Sequence, residues 1–158
     1  MIHRKAGRLA IAAAGALFLA APGATCMDDS VDLVAEATAG GGKLHYYPNA
    51  EQLGALFARP NAVKSVENGQ TTEDLMVFIS KGRQVDLGFY DATASRWDID
   101  DYSVDEFMYF LEGGVTLTGA DGTVTEVKAG DAVFIEKGWK GVWETSGYRK
   151  IYVIYQNE

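Results

Sequence analysis

From Leu75 to the C-terminus the chain breaks into short runs rich in β-branched and aromatic residues, with no helix-period segment between them. The runs LMVFIS, VDLGFYD, SRWDID, EFMYFLE, GVTLTG, TVTEVKA, DAVFIE, GVWET and YRKIYVIYQ predict about nine strands punctuated by glycine and aspartate. Ala120-Asp121-Gly122 lies between two of them and predicts a hairpin turn, because Asp-Gly tolerates positive φ. Lys137-Gly138 is a second turn candidate. Many short strands, close turns and no intervening helices predict an antiparallel sandwich or barrel rather than a parallel α/β sheet. No solenoid-type repeat is visible.

A chain of 158 residues has room for about one such domain, so the same small core must supply any chemistry. With 14 Lys and Arg against 22 Asp and Glu, the net charge of −8 repels polyphosphate and removes the main driving force for nucleic-acid binding. One cysteine, Cys26, excludes an intramolecular disulfide framework and thiolate-rich metal sites. The histidines are His3 and His45.

The N-terminus reads as an address. His3, Arg4, Lys5 and Arg8 form a basic start, and Leu9 to Ala21 follow as an uncharged, alanine-rich apolar run of 13 residues. That run is too short for a relaxed helix to cross a hydrocarbon core of about 30 Å, so a secretory signal over residues 1–25 is expected rather than a membrane span. Lipid attachment at Cys26 is disfavoured, since the residues before it lack the usual leucine and place threonine beside the cysteine. Losing three basic side chains and no acids with the leader takes the charge from −8 to −11. Residues 26–42, poor in large apolar groups and ending in three glycines, read as a flexible linker. Residues 43–74 read as a helical extension: Asn49 caps a short helix with Leu53, Leu56 and Phe57 on one face, and Pro60 ends it. The β domain is expected over residues 75–158.

Glu106 is followed by six residues and then Gly113, and Gly130 is followed seven residues on by Lys137-Gly138, then Trp139-Lys140-Gly141. This spacing resembles the two cupin motifs, in which a His-x-His pair precedes the glutamate and a second glycine-rich motif ends in a histidine. Glu106, Gly113, Gly130 and Gly138 match. The histidine pair is replaced by Asp100 and Tyr102 (or Ile99 and Asp101), the motif's proline by Glu136 and its final histidine by Gly141, so one of four usual metal ligands survives. Trp97, Tyr102, Glu106-Phe107, Leu111-Glu112-Gly113, Gly130-Asp131, Lys137-Gly138-Trp139, Gly141-x-Trp143 and Arg149-Lys150 resemble more closely the branch related to ureidoglycine aminohydrolase and the ethanolamine-utilisation Q-type cupins. The resemblance implies an all-β cupin-type double-stranded β-helix, a jelly-roll barrel, here with a short N-terminal helix.

Transition-metal sites need several converging imidazole, thiolate or carboxylate ligands, and this domain offers no converging imidazoles. No cofactor is expected; weak binding of a hard divalent cation to oxygen atoms stays open. Period-two alternation puts Asp100, Tyr102, Glu106, Met108 and Phe110 on one face if the strand runs without a bulge, and the resemblance makes that face the barrel interior. Glu106 would then sit among apolar groups that disfavour its charged form, as a general acid or base requires, and Tyr102 would offer a donor to a substrate oxygen. Trp97, Trp139 and Trp143, with Phe89 and Tyr90, make either an aromatic pocket or ordinary core. Lys150 pairs either with an anionic ligand or with an acid in the wall. Gly141 either enlarges the pocket or lets Trp143 approach the opposite sheet. The expected site is therefore Glu106 and Tyr102 as catalytic centre, with Trp97, Asp100, Met108, Trp143 and Lys150 as ligand contacts. The leading expectation is an exported, periplasmic or secreted protein that binds a small polar metabolite, as a binding protein or a metal-independent enzyme, in a homodimer that covers its open strand edges. A non-catalytic envelope module and a metal-dependent cupin enzyme are the rivals.

Overall fold

A computed structural model describes residues 55–156, together with the backbone of two short strands, β1 (Ala37–Thr38) and β2 (Lys43–Leu44), paired antiparallel with Ala37 opposite Leu44. The expected leader, Cys26 and the helix residues Asn49 and Leu53 lie outside the described residues. Seven further strands follow: β3 (Val63–Glu67), β4 (Gln70–Ile79), β5 (Val85–Ile99), β6 (Asp105–Gly119), β7 (Val124–Lys128), β8 (Ala132–Ile135) and β9 (Gly141–Tyr155). All pair antiparallel in the order β3-β4-β5-β9-β6-β7, with β8 also on β6. Among the described residues no helix is long and apolar enough to cross a membrane.

Two expectations change. Residues 63–74, read as part of a helical extension, are largely strand, and the expected boundary at residue 75 falls inside β4. The reason is Asn68-Gly69, whose φ angles of 48° and 82° make the tight connection between β3 and β4; both central positions need positive φ, and Asn-Gly supplies it. Of the expected helix, the described residues hold the closing turn at residues 55–56, where Ala58 N and Arg59 N donate to the carbonyls of Ala55 and Leu56. Leu56 is buried there against Leu75 and Phe89, a contact worth about 1.5–3 kcal/mol for a fully covered leucine.

The second change concerns strand number. Six of the nine predicted runs fuse in pairs into three strands of 15 residues, β5, β6 and β9. Each changes its buried parity once along its length. In β5 the residues buried on the inner side are Asp86, Gly88 and Ala92 and then Trp97 and Ile99, while Phe89 is buried on the other side with Leu56 and Leu75; in β6 the buried residues are Glu106, Met108 and Phe110 and then Val115 and Leu117. In β9, followed back from its end, they are Ile154, Tyr152, Lys150 and Tyr148 and then Thr145 and Trp143. In β6 and β9 the switch coincides with register shifts between Phe110 and Glu112 and between Gly114 and Thr116. Beyond the switch β6 leaves β8 and pairs with β7. At this corner a Cβ on Gly113 would lie 2.0 Å from the Gly147 carbonyl oxygen, a closeness that glycine alone permits. The sheet turns over on itself, and residues from both halves, including Trp97, Met108, Phe110, Leu117, Trp143 and Tyr152, form one core cluster inside. This is the jelly-roll arrangement that the resemblance implies. The Asp121-Gly122 and Lys137-Gly138 turns form as expected, with Gly122 and Gly138 at φ 84° and 89°.

Candidate functional site

The inner face carries charge. β6 begins at Asp105, and alternation points Glu106, Met108 and Phe110 inward. Register places Lys150 of β9 between Tyr90 of β5 and Phe110 of β6, so its ammonium enters the space between the two halves of the sheet. Lys150 Nζ lies 2.7 Å from Glu106 Oε1 and 3.0 Å from Met108 Sδ, with the lysine 6% and the glutamate 2% exposed. The other carboxylate oxygen, Oε2, accepts a hydrogen bond from the Tyr102 hydroxyl. Tyr102 belongs to no strand. It is held by its backbone: its N–H donates to Trp139 O at 2.9 Å and its carbonyl accepts from Gly138 N at 2.7 Å, tying the β5–β6 loop to the β8–β9 turn. Burial, with the Glu106 carboxylate next, holds the Tyr102 hydroxyl well above its usual range, so it stays a donor.

A second acid lies in the same row. Asp74 of β4 stands opposite Tyr90, and its Oδ1 accepts from the Tyr152 hydroxyl at 2.9 Å. The Tyr152 ring reaches that far because residue 88, its cross-strand neighbour, is glycine; a Cβ there would lie 2.5 Å from the hydroxyl oxygen. Burial raises the Asp74 carboxyl from 3.8 to about 6; the Tyr152 bond and Lys150 pull it down, while Glu106 and Asp86 push it up. A carboxyl raised by folding binds its proton more tightly in the native state, so its contribution is most favourable below pH 3.8 and is lost as pH rises to about 6. Asp74 is therefore expected to cost the fold roughly 3 kcal/mol between those limits. Urea unfolding at pH 4 and pH 7 checks this: the wild type should lose more stability across that interval than Asp74→Asn, and parallel profiles for the two proteins would refute it.

Of the residues expected at the site, Tyr102, Glu106, Met108, Trp143 and Lys150 come together inside. Trp97 is also buried and faces Trp143 across the β5–β9 pair, but its indole N–H is taken by Gln70 Oε1 at 3.0 Å. Asp100 is a correction. It is exposed just past the end of β5, because Trp97 and Ile99 point inward and the alternation turns Asp98 and Asp100 outward. Phe89 takes the second of its two expected readings, ordinary core, and packs with Leu56 and Leu75 in a separate cluster that holds none of the tryptophans. Tyr90, Tyr148, Tyr152 and Asp74 are site residues that sequence reasoning does not single out for the polar cluster. For Asp74 the Asn-Gly hairpin is the available signal, since it turns residues 70–79 into strand.

The donor set does not fit a transition-metal centre. Both oxygens of Glu106 are engaged by Lys150 and Tyr102. At Gly141, where the motif pattern has a histidine, a Cβ would lie 2.3 Å from Thr118 O and 2.7 Å from the Trp139 ring. Among the described residues no group of three or more His, Cys, Asp or Glu side chains converges on one point. A groove of about 650 Å³ opens instead between the β6–β7 turn and β8, lined by Leu117, Val133, Ile135 and Trp139 with Asp121, Thr123 and Lys137 also at its wall. It stops one residue short of the polar cluster: Ile135 is the cross-strand partner of Glu106, and the Trp139 ring meets Tyr102 edge-on at 6.4 Å.

The profile of the EutQ-like cupin domain matches residues 79–152. Among solved structures, the chain is 21% identical to a protein of unknown function from Pseudomonas syringae pv. tomato, covering 59% of this chain and 43% of that one with a TM-score of 0.52. It is 16% identical to an ectoine synthase from P. lautus, covering 65% and 74% with a TM-score of 0.52. The Clostridium difficile EutQ protein is 23% identical over 56% of this chain and 71% of that one, with a TM-score of 0.47. No curated protein matches the chain. For the two structures with a TM-score of 0.52 the likeness is one of fold.

Proposed function

We propose, for a chain whose residues 79–152 match the EutQ-like cupin domain, that the barrel binds a small polar metabolite at the Tyr102–Glu106–Lys150 cluster without a metal ion. The observation that carries this reading is the buried ion pair itself. Taking two charges out of water costs several kcal/mol per ion, and a well-packed apolar pair in their place is often neutral or stabilising, so a purely structural core has little use for Lys150 and Glu106. The ureidoglycine aminohydrolase-related branch is the finer assignment within this proposal. There Glu106 exchanges the proton, Tyr102 donates to a substrate oxygen, and Met108, Trp97 and Trp143 pack against the ligand, which enters past Trp139 from the groove.

Thermal-shift titration of the purified protein against ureides and small carboxylates tests it, because a ligand that prefers the native state raises its stability by mass action. At least one compound is expected to raise the Tm of the wild type in a saturable way and to leave Glu106→Gln unmoved. An equal shift in both proteins, or none with any compound, removes the proposal. Export and a homodimer complete it, supported by the basic and apolar N-terminus and by Phe107 and Phe134, paired across β6 and β8 and both about half exposed. Mass spectrometry and sedimentation velocity on protein recovered from producing cells decide both points; an intact leader or a monomer counts against them.

A further inference from the structure

We infer that the space around Lys150 Nζ is a binding site for a primary ammonium group, which the chain fills with its own side chain. The enclosure has the chemistry of an ammonium receptor on every side for which a neighbour is known. A carboxylate oxygen lies at 2.7 Å and a thioether sulfur at 3.0 Å. The ring centroids of Tyr90, Trp143 and Tyr148 lie 5.5, 5.5 and 5.8 Å from the nitrogen, within the range at which ring faces attract a cation.

The walls do not depend on the lysine for their position. Tyr90 and Tyr148 stack at 6.2 Å, Trp143 and Tyr148 meet at 5.7 Å, and Phe110 meets Tyr148 at 5.4 Å, so the rings brace one another. Glu106 is held separately by Tyr102, which is itself tied down through its backbone. Charge points the same way. Asp74, Asp86 and Glu106 are buried carboxylates, and among the described residues Lys150 is the one buried cation set against them. Truncation to alanine would leave a negatively biased, ring-walled cavity with the outline of the atoms removed, Cγ to Nζ, which is n-propylammonium.

This site shares its residues with the proposed metabolite site but does not depend on that reading. Absence of metabolite binding in the wild type leaves it standing, and its own failure leaves metabolite binding unaffected. The test is Lys150→Ala in the full chain, followed by thermal unfolding and calorimetric titration with n-propylammonium chloride, sodium chloride and propan-1-ol. Lys150→Ala is expected to unfold about 10 °C or more below the wild type. n-Propylammonium should recover a large part of that loss along a saturable curve, while sodium chloride, propan-1-ol and the wild type show no such rise. Equal recovery with propan-1-ol or sodium chloride, or no recovery, overturns the inference. Should Lys150→Ala not fold unaided, refolding in n-propylammonium against propan-1-ol reads the same question, and a yield that is equal in the two overturns it.

Discussion

Lys150→Met is expected to lose about 3–5 kcal/mol of stability in urea unfolding at neutral pH, the range for breaking a buried ion pair from one side. The chain length and volume are nearly kept, so packing explains little of the loss. What remains is the Glu106 carboxylate, 2% exposed, with one oxygen on Tyr102 and the other facing apolar groups in place of an ammonium. The double variant Lys150→Met, Glu106→Leu is expected to regain most of that stability, because it removes both charges and leaves only the Tyr102 hydroxyl short of an acceptor. A non-additive double-mutant cycle of that sign would show that the pair is not kept for stability. If the double variant is as unstable as the single one, the argument that the pair serves ligand binding loses its physical basis.

Gly141→His is the second large effect. It restores the residue type that the motif pattern has at this position, yet it is expected to destabilise the fold by roughly 3 kcal/mol or more, the upper end of overpacking, and to gain no transition metal. The obstacle begins at the first side-chain atom. A Cβ would sit 2.3 Å from the Thr118 carbonyl oxygen, which belongs to the strand paired with β9 and cannot swing aside, and 2.7 Å from the Trp139 ring. Trp139 in turn packs on Tyr102 and supplies the carbonyl that holds its backbone. Urea unfolding and metal analysis of the purified variant check both halves; a stable, metal-loaded protein would refute the account of this position.

How much of this is legible in the sequence depends on whether a signal is local. The turns at Asp121-Gly122 and Lys137-Gly138 are written in the residues that form them, and the antiparallel class follows from strand content. The inward row of Glu106, Met108 and Phe110 is a run of strict alternation, so it can be read directly. The fused strands cannot. A parity switch in the middle of β5, β6 or β9 looks, from sequence, like the end of one strand and the start of another, because alternation fails there while hydrogen bonding does not. Asp100 is misread for a related reason: its face is counted back from Glu106 across a loop, where alternation does not hold. Asp74 and Tyr152 are 78 residues apart and meet only through register across β4, β5 and β9, which no local pattern encodes. The residues alone do not choose between a ligand and an acid in the wall as the partner of Lys150, and Glu106 at 2.7 Å resolves its partner in the protein itself.

The three fused strands have a mechanical consequence. Since β5, β6 and β9 each supply a segment to both halves of the sheet, the two walls of the barrel are joined covalently at three places, around Thr93, Gly113 and Gly147. One wall can open from its counterpart only by changing the backbone dihedrals at all three crossings together, so three continuous strands resist the opening. The clearance between the walls is therefore held close to its folded value, and it selects a guest by size.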